Sequence, residues 1–281
     1  MRICKIIRYD LKQGFLQNVW KLIFVAGMAI VFCVDFYFCR KNVENAEHII
    51  TQATYGDYLF YILGGPEVFE AGINSTVPFP ARWLLVNSFI LYSTLYYSIR
   101  ELNNEGKIIL PKTKSRWNWW LSKCIWNSSY TLSSYVIFYS IILGWCILNS
   151  EKVSLEITQP LIDKMLNIGN GQRQYDFMLS VYILIIPMCI IVAFNIVQMA
   201  LSLVVHPILS FGIMEVIFIL SIYYSKHIFI GNYAMPIRSE YVIYRGTKFF
   251  DGIMWSLILY IVGIILGWCW IRKYDVLQNK N

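Results

Sequence analysis

Scanned for polarity, the chain alternates between long uncharged segments and shorter polar ones. Residues 22–39 are broken only by Asp35, 83–99 are free of charge, and 124–150 carry none over 27 residues. From 177 to 214 there are 38 residues without Lys, Arg, Asp or Glu. As a single helix this run would measure about 57 Å, nearly twice a hydrocarbon core of roughly 30 Å. It must therefore fold back, and His206-Pro207 is the natural turn. The pattern predicts helices near 177–199 and 208–225, and a last one over 252–271. Between these runs lie polar stretches at 40–82, 151–176 and 226–251. The first holds the turn signals Gly64-Gly65-Pro66 and Pro78-Phe79-Pro80 and reads as irregular. The expectation is a single all-α integral membrane domain over 1–281, with six transmembrane helices at about 22–39, 83–99, 124–148, 177–199, 208–225 and 252–271.

The first twenty residues have a different pattern. At 100° per residue, Ile3, Ile7, Leu11 and Phe15 share one face, while Arg2, Lys5, Arg8 and Lys12 gather opposite. That predicts an amphipathic helix lying in the membrane interface, its basic face toward anionic headgroups. Asp10 sits near the apolar edge and weakens the pattern. A secretory leader is not expected, since Asp10 and Lys12 interrupt the apolar region such a leader needs.

Composition agrees with a membrane as the folding solvent. Apolar residues make up 57% of the 281 and charged residues 15%, against about 45–50% and about 25% in soluble domains. Ten Trp and twenty Tyr suit helix ends at membrane–water interfaces. All seven cysteines lie in or beside apolar runs and no CxxC occurs, so buried free thiols are expected rather than disulfides. The three histidines are not spaced with Cys or acids as a metal site needs. With the N-terminus inside, the inner segments hold 14 Lys and Arg and the outer ones 10, while acids number four inside and eleven outside. Both termini are therefore expected in the cytoplasm of a cell (plasma) membrane protein. The net charge of +7 is topological and implies no nucleic-acid partner.

Motifs for catalysis or nucleotide binding are missing: there is no GxxxxGK[ST], HExxH or GxSxG. The chain is not expected to be an enzyme or to hold a cofactor. Two acids fall within predicted spans, Glu215 near the middle of the fifth and Asp35 near the outer end of the first. A charge at membrane depth costs about 2.5–3.5 kcal/mol on insertion scales, which makes both candidates for a substrate path or gate. The other reading of Glu215 is a protonated or hydrogen-bonded interhelical tie. Asn195 joins the candidate path residues, although with Gln198 it reads first as a hydrogen bond between helices.

The segment from Arg100 to Lys123 carries the most specific signal. Glu105 and Gly106 follow the second span; the apolar run Ile108–Leu110, Pro111 and the pair Ser115-Arg116 come next, and Lys123 opens the third span. In this the chain resembles the permease subunits of ATP-binding cassette (ABC) exporters. The resemblance extends to the amphipathic start, which matches the family's elbow helix over 1–20. It also covers Leu201-Ser202-Leu203 at the fourth–fifth junction and Ile271-Arg272-Lys273-Tyr274-Asp275 at the end of the sixth span. The Gly106-to-Pro111 interval is shorter than usual in the family. Segment 226–252 stands where the family has a short re-entrant helix.

The resemblance implies that 101–116 form a coupling segment that docks on a cytoplasmic ABC ATPase through Glu101, Asn104, Glu105, Gly106, Lys107, Ile109 and Leu110. ATP and Mg would sit in that separate subunit. A second permease, identical or similar, would complete the path. Compact permeases of this kind resemble those of Gram-positive exporters for peptide toxins (phenol-soluble modulins) and for bacteriocin immunity. The expected cargo is an amphipathic peptide, with a hydrophobic drug or a lipid as alternatives. From another class, a non-transporting membrane scaffold or an intramembrane enzyme remains open.

Overall fold

The computed structural model of the chain describes residues 3–47, 52–68, 79–103, 115–166, 175–226 and 228–273. Among these the chain is helical, with no strand beyond two isolated bridges, Thr54 to Lys152 and Ser239 to Thr247. The helices are α1 (Ile3–Glu47), α2 (Tyr55–Leu63), α3 (Ala81–Thr94), α4 (Tyr97–Asn103), α5 (Arg116–Leu148), α6 (Gln159–Met165), α7 (Phe177–Ser202), α8 (Pro207–Tyr223) and α9 (Phe249–Lys273). Four of them, α1, α5, α7 and α9, are long and apolar enough to cross a membrane. This is an all-α, membrane-embedded, multi-pass chain. The shorter α8, also apolar, has 17 residues and a length of about 26 Å.

α1 departs from expectation. Instead of an interfacial helix followed by a separate span, it runs unbroken for 45 residues, about 67 Å. Nothing between 3 and 47 stops a helix: there is no proline, and the glycines do not end it. Gly14 faces the indole of Trp126 so closely that a Cβ there would collide with Nε1. The buried stripe recurs every three or four residues through Ile6, Asp10, Gly14, Asn18, Lys21, Val25, Ala29, Phe32 and Phe36. Its first half is polar. Its second half is the apolar core seam.

The stretch expected to form one helix over 83–99 is instead two, α3 and α4, joined at Leu95-Tyr96. The freed carbonyls are taken up by side chains. The carbonyl of Leu91 accepts from Gln198 Nε2 at 3.0 Å, and that of Ser93 from Lys21 Nζ at 2.6 Å. Such partners let a helix break persist where water is scarce. The long apolar run is divided at 203–206, where Pro207 opens α8 and its missing N–H costs nothing. α5 begins at Arg116, two turns before residue 124, with Ser115 Oγ accepting from the Asn118 N–H.

Segment 40–82 is not irregular throughout. α2 is a helix with every residue buried, opened by a capping box in which the Thr54 hydroxyl accepts from Asp57 N–H and the Asp57 carboxylate from Thr54 N–H. Asp57 also accepts from the Thr158 N–H at 2.6 Å, so one buried carboxylate joins two loops. Burial pushes its pKa up, and the hydrogen bonds oppose that shift. Between α8 and α9 lie two short 3-10 helices, Ile230–Ala234 and Pro236–Arg238.

Packing is inside-out relative to a soluble protein. α9 buries only Gly252, Ser256, Gly263, Gly267 and Ile271, and exposes Met254, Leu257, Ile261, Val262, Ile265 and Leu266. The small-residue face lets α9 lie directly on α7: a Cβ on Gly263 would stand 3.0 Å from the Val197 nitrogen. Exposed apolar side chains also line α8 (Ile208, Leu209, Val216, Ile219) and α1 (Val19, Ile23, Val31). Such a surface is stable against lipid and not against water.

Candidate functional site

At one end of the bundle the start of α1, the end of α4 and the start of α5 meet around buried charge. Lys123 and Asp10 are wholly inaccessible, with Nζ 2.6 Å from Oδ1. Glu101 Oε2 lies against the same ammonium group, and Ser122 donates to the second Asp10 oxygen. Lys123 also lies over the Tyr97 and Trp119 rings, 5.4 and 5.2 Å from their centroids. Tyr97 stacks on Trp126 at 3.8 Å and donates to the Asp10 carbonyl at 3.3 Å. One cation thus holds two carboxylates from two other helices. A buried cluster of this kind is costly to desolvate and costlier to break.

The same end is tied to α9. Arg116 Nη1 donates to the carbonyls of Ile271 and Arg272 at 3.3 and 2.7 Å, satisfying the last turn of that helix. Trp120 donates to the Ile264 carbonyl at 2.9 Å. Glu101 and Arg116 therefore flank segment 104–114 and are each wired to other helices, one to α1 and α5 and the other to α9.

Of the residues expected to couple to an ATPase, Glu101 is buried in this cluster. Asn104, Glu105, Gly106, Lys107, Ile109 and Leu110 lie outside the described residues. So does Arg2, while Lys5, Arg8 and Lys12 are exposed along α1. Asp10, which spoils the amphipathic pattern, is the residue that anchors α1. An acid at an apolar position of one helix and a lysine at an apolar position of another are the signal that could have paired them.

Further along the bundle a polar network crosses the core. Asn195 is buried and both ends of its amide are bonded, its oxygen accepting from Thr94 at 2.6 Å and its nitrogen donating to Thr131 at 2.8 Å. It ties α3, α5 and α7, an interhelical role. Tyr135 donates to the Asn87 side-chain oxygen at 2.6 Å in the same interior. Glu215 is half-buried between α8 and α3, accepting from Ser88 at 2.8 Å through one oxygen, while its other oxygen has no hydrogen-bond partner among the described residues.

Asp35 lies toward the other end, on α1. It accepts from Tyr61 at 3.0 Å and from Arg82 at 3.2 Å, and the Arg82 guanidinium covers the Tyr61 ring at 3.6 Å. These groups line a cavity of about 450 Å³ with Val31, Phe79 and Trp83. Arg82, not singled out from the sequence, answers the charge on Asp35. α3 lies between α1 and α8, with Phe24 against Phe89 and Tyr92 against Phe211, so Asp35 and Glu215 both border the α3 helix.

Beyond this cavity the loops knit into a cap. Arg238, buried and unremarked in the sequence, donates to the carbonyls of Pro66, Glu67, Ser221 and Ile222 and to the Asn232 side-chain oxygen. It closes the C-terminus of α8, and burial pushes its pKa down to about 10. All seven cysteines are free thiols. No group of His, Cys, Asp and Glu among the described residues is placed to hold a metal ion. Compared with known proteins, the chain matches no family model, no curated protein and no solved structure.

Proposed function

We propose that the chain is the membrane-spanning permease subunit of an ATP-driven ABC exporter. In this reading six passes cross the cell membrane of a Gram-positive bacterium: α1, α3 with α4, α5, α7, α8 and α9. Both termini are cytoplasmic. The observation that carries the reading is the anchoring of the two residues that flank 104–114: Glu101 to Lys123, which also holds Asp10, and Arg116 to the end of α9. A segment pushed by an ATPase can move the bundle only if its flanks are fastened to other helices, and here they reach α1, α5 and α9. The sequence resemblance in 100–123 supports the same assignment.

Two such permeases and two ATPase subunits form the exporter, with ATP and Mg held by the ATPases. Cargo passes along the side of α3 that borders α1 and α8, where Asp35, Arg82 and Glu215 are the polar groups among aromatics. Closure of the ATPases rocks the helices between inward-open and outward-open arrangements. An amphipathic peptide is the cargo this lining suits best. Asn195 belongs to the packing of the bundle.

The test is affinity purification of the tagged full-length chain from its native membranes in mild detergent, with co-purifying ATPase measured. Wild type should bring down an ABC ATPase, and the Glu105→Ala/Leu110→Asp double variant should lose it while remaining folded. Failure of wild type to retain any ATPase would overturn the transporter reading in favour of a membrane scaffold or intramembrane enzyme.

A further inference from the structure

A second polar site lies on the flank of the bundle, apart from the Lys123 cluster. A cavity of about 350 Å³ is lined by Gln17, Trp20 and Lys21 of α1, by Tyr92 of α3, by Tyr96 in the α3–α4 break and by Arg100 of α4. Lys21 is held in place by donating to the Ser93 carbonyl at 2.6 Å. Its Nζ lies between two rings, 5.7 Å from the Trp20 centroid and 5.6 Å from that of Tyr92. An ammonium group has three N–H donors, so this placement leaves two for another partner. Arg100 is exposed at the cavity edge, and no described residue accepts a hydrogen bond from its guanidinium. Among the described residues no carboxylate lies within ion-pair distance of either cation. Among the described residues, the site therefore brings two positive charges together without an acid to balance them.

Its depth identifies the occupant. Lys21 is the last charge before the apolar stretch 22–34 of α1, so the cavity stands at the boundary of the hydrocarbon layer. Trp20 and Tyr92 are exposed beside it, as interfacial aromatics are. Val19, Ile23 and Phe24 are exposed on the neighbouring surface, where acyl chains can lie. We propose that the cavity of Lys21 and Arg100 is a binding site for the phosphate headgroup of an anionic phospholipid of the leaflet on that side. The phosphodiester offers only acceptors, which the ammonium and guanidinium groups require, and its single charge is not cancelled by a choline. The inference rests on the membrane crossing of α1 and is independent of the exporter reading.

The test is lipid retention by the purified full-length chain in detergent, measured by native mass spectrometry after exchange into mixed phosphatidylglycerol and phosphatidylcholine micelles. Wild type should retain phosphatidylglycerol in preference. A cation near the surface is worth about fivefold in binding an anionic lipid, so Arg100→Gln should lose about that factor and Lys21→Met/Arg100→Gln roughly thirtyfold. Arg100→Lys should keep most of the preference. Lys152→Gln, a change at an exposed lysine in the loop after α5 whose charge Glu156 already answers, should leave it unaltered. The Arg100 guanidinium bonds no described residue, so its single variant keeps the test valid if Lys21→Met fails to fold. Equal retention of the two lipids by wild type, or an equal loss in Lys152→Gln, would overturn the proposal. Protection of wild type against heat by inorganic phosphate or glycerol phosphate, as strong as that by phosphatidylglycerol, would also overturn it by assigning the cavity to a soluble anion.

Discussion

Replacing Lys123 by methionine removes the cation that Asp10 and Glu101 share and keeps most of the side-chain volume. In the native arrangement the ammonium group lies 2.6 Å from Asp10 and touches Glu101, with no exposure to solvent. The Lys123→Met variant would leave two carboxylates on different helices facing each other across a dry gap lined by Tyr97, Trp119 and Trp126. Breaking one partner out of a buried ion pair costs about 3–5 kcal/mol. At roughly 2–4 °C per kcal/mol for a chain of this class, Tm should fall by about 10 °C. The assay is thermal unfolding of the purified protein in detergent followed by tryptophan fluorescence, which reports directly here because two indoles line the site. Asp10→Asn in the Lys123→Met background removes one of the stranded charges and should restore about half of the loss. A Lys123→Met variant within about 1 kcal/mol of wild type would refute the reasoning, because it would mean that the cluster is solvated. So would an Asp10→Asn/Lys123→Met double variant no more stable than Lys123→Met alone.

Three further outcomes follow from the packing. Asn195→Leu should cost about 1 kcal/mol in the same unfolding assay, near the average for interhelical hydrogen bonds in membranes, because the freed Thr94 hydroxyl turns to the Leu91 carbonyl 3.2 Å away and Thr131 keeps its bond to that of Asn127. Gly263→Ile should cost about 1–3 kcal/mol or separate α9 from α7, since the new side chain meets Ile196 and the backbone at Val197; cysteine crosslinking between the two helices would detect the separation. Arg238→Met should strand the carbonyls of Ser221, Ile222, Pro66 and Glu67 and loosen the cap, seen as faster amide exchange at the end of α8 and over 64–67, whereas Arg238→Lys should recover only part of the protection.

What could be read from the chain alone follows from local rules. Uncharged runs of 17 to 38 residues dictate apolar helices, because in lipid each backbone group must bond within its own helix. Pro207 divides the longest run because, at the first position of a helix, its missing N–H costs nothing, whereas Pro187 lies within α7 without ending it. The free thiols follow in the same way from cysteines that all sit in apolar context. Where the local signal is weak, the fold departs from it. The continuity of α1 past residue 20 and the buried helix α2 inside a stretch read as irregular both depend on partners contributed by distant segments. Asp10 looked like a flaw because its partner Lys123 is 113 residues away.

The tertiary structure alone decided which polar residues are ties and which stand at open sites. Asn195 and Glu215 are similar in sequence context, each a polar group in an apolar helix. Packing gives the first two partners and full burial, and the second a single hydroxyl at the edge of α3. Lys21 and Arg100 come together because α3 breaks at Leu95-Tyr96, and that break persists because Gln198 and Lys21 bond the carbonyls it frees. Helix formation depends on neighbours along the chain, and a sequence displays those. Pairing of buried charge depends on which helix faces meet, and no single helix with apolar residues on every side specifies that.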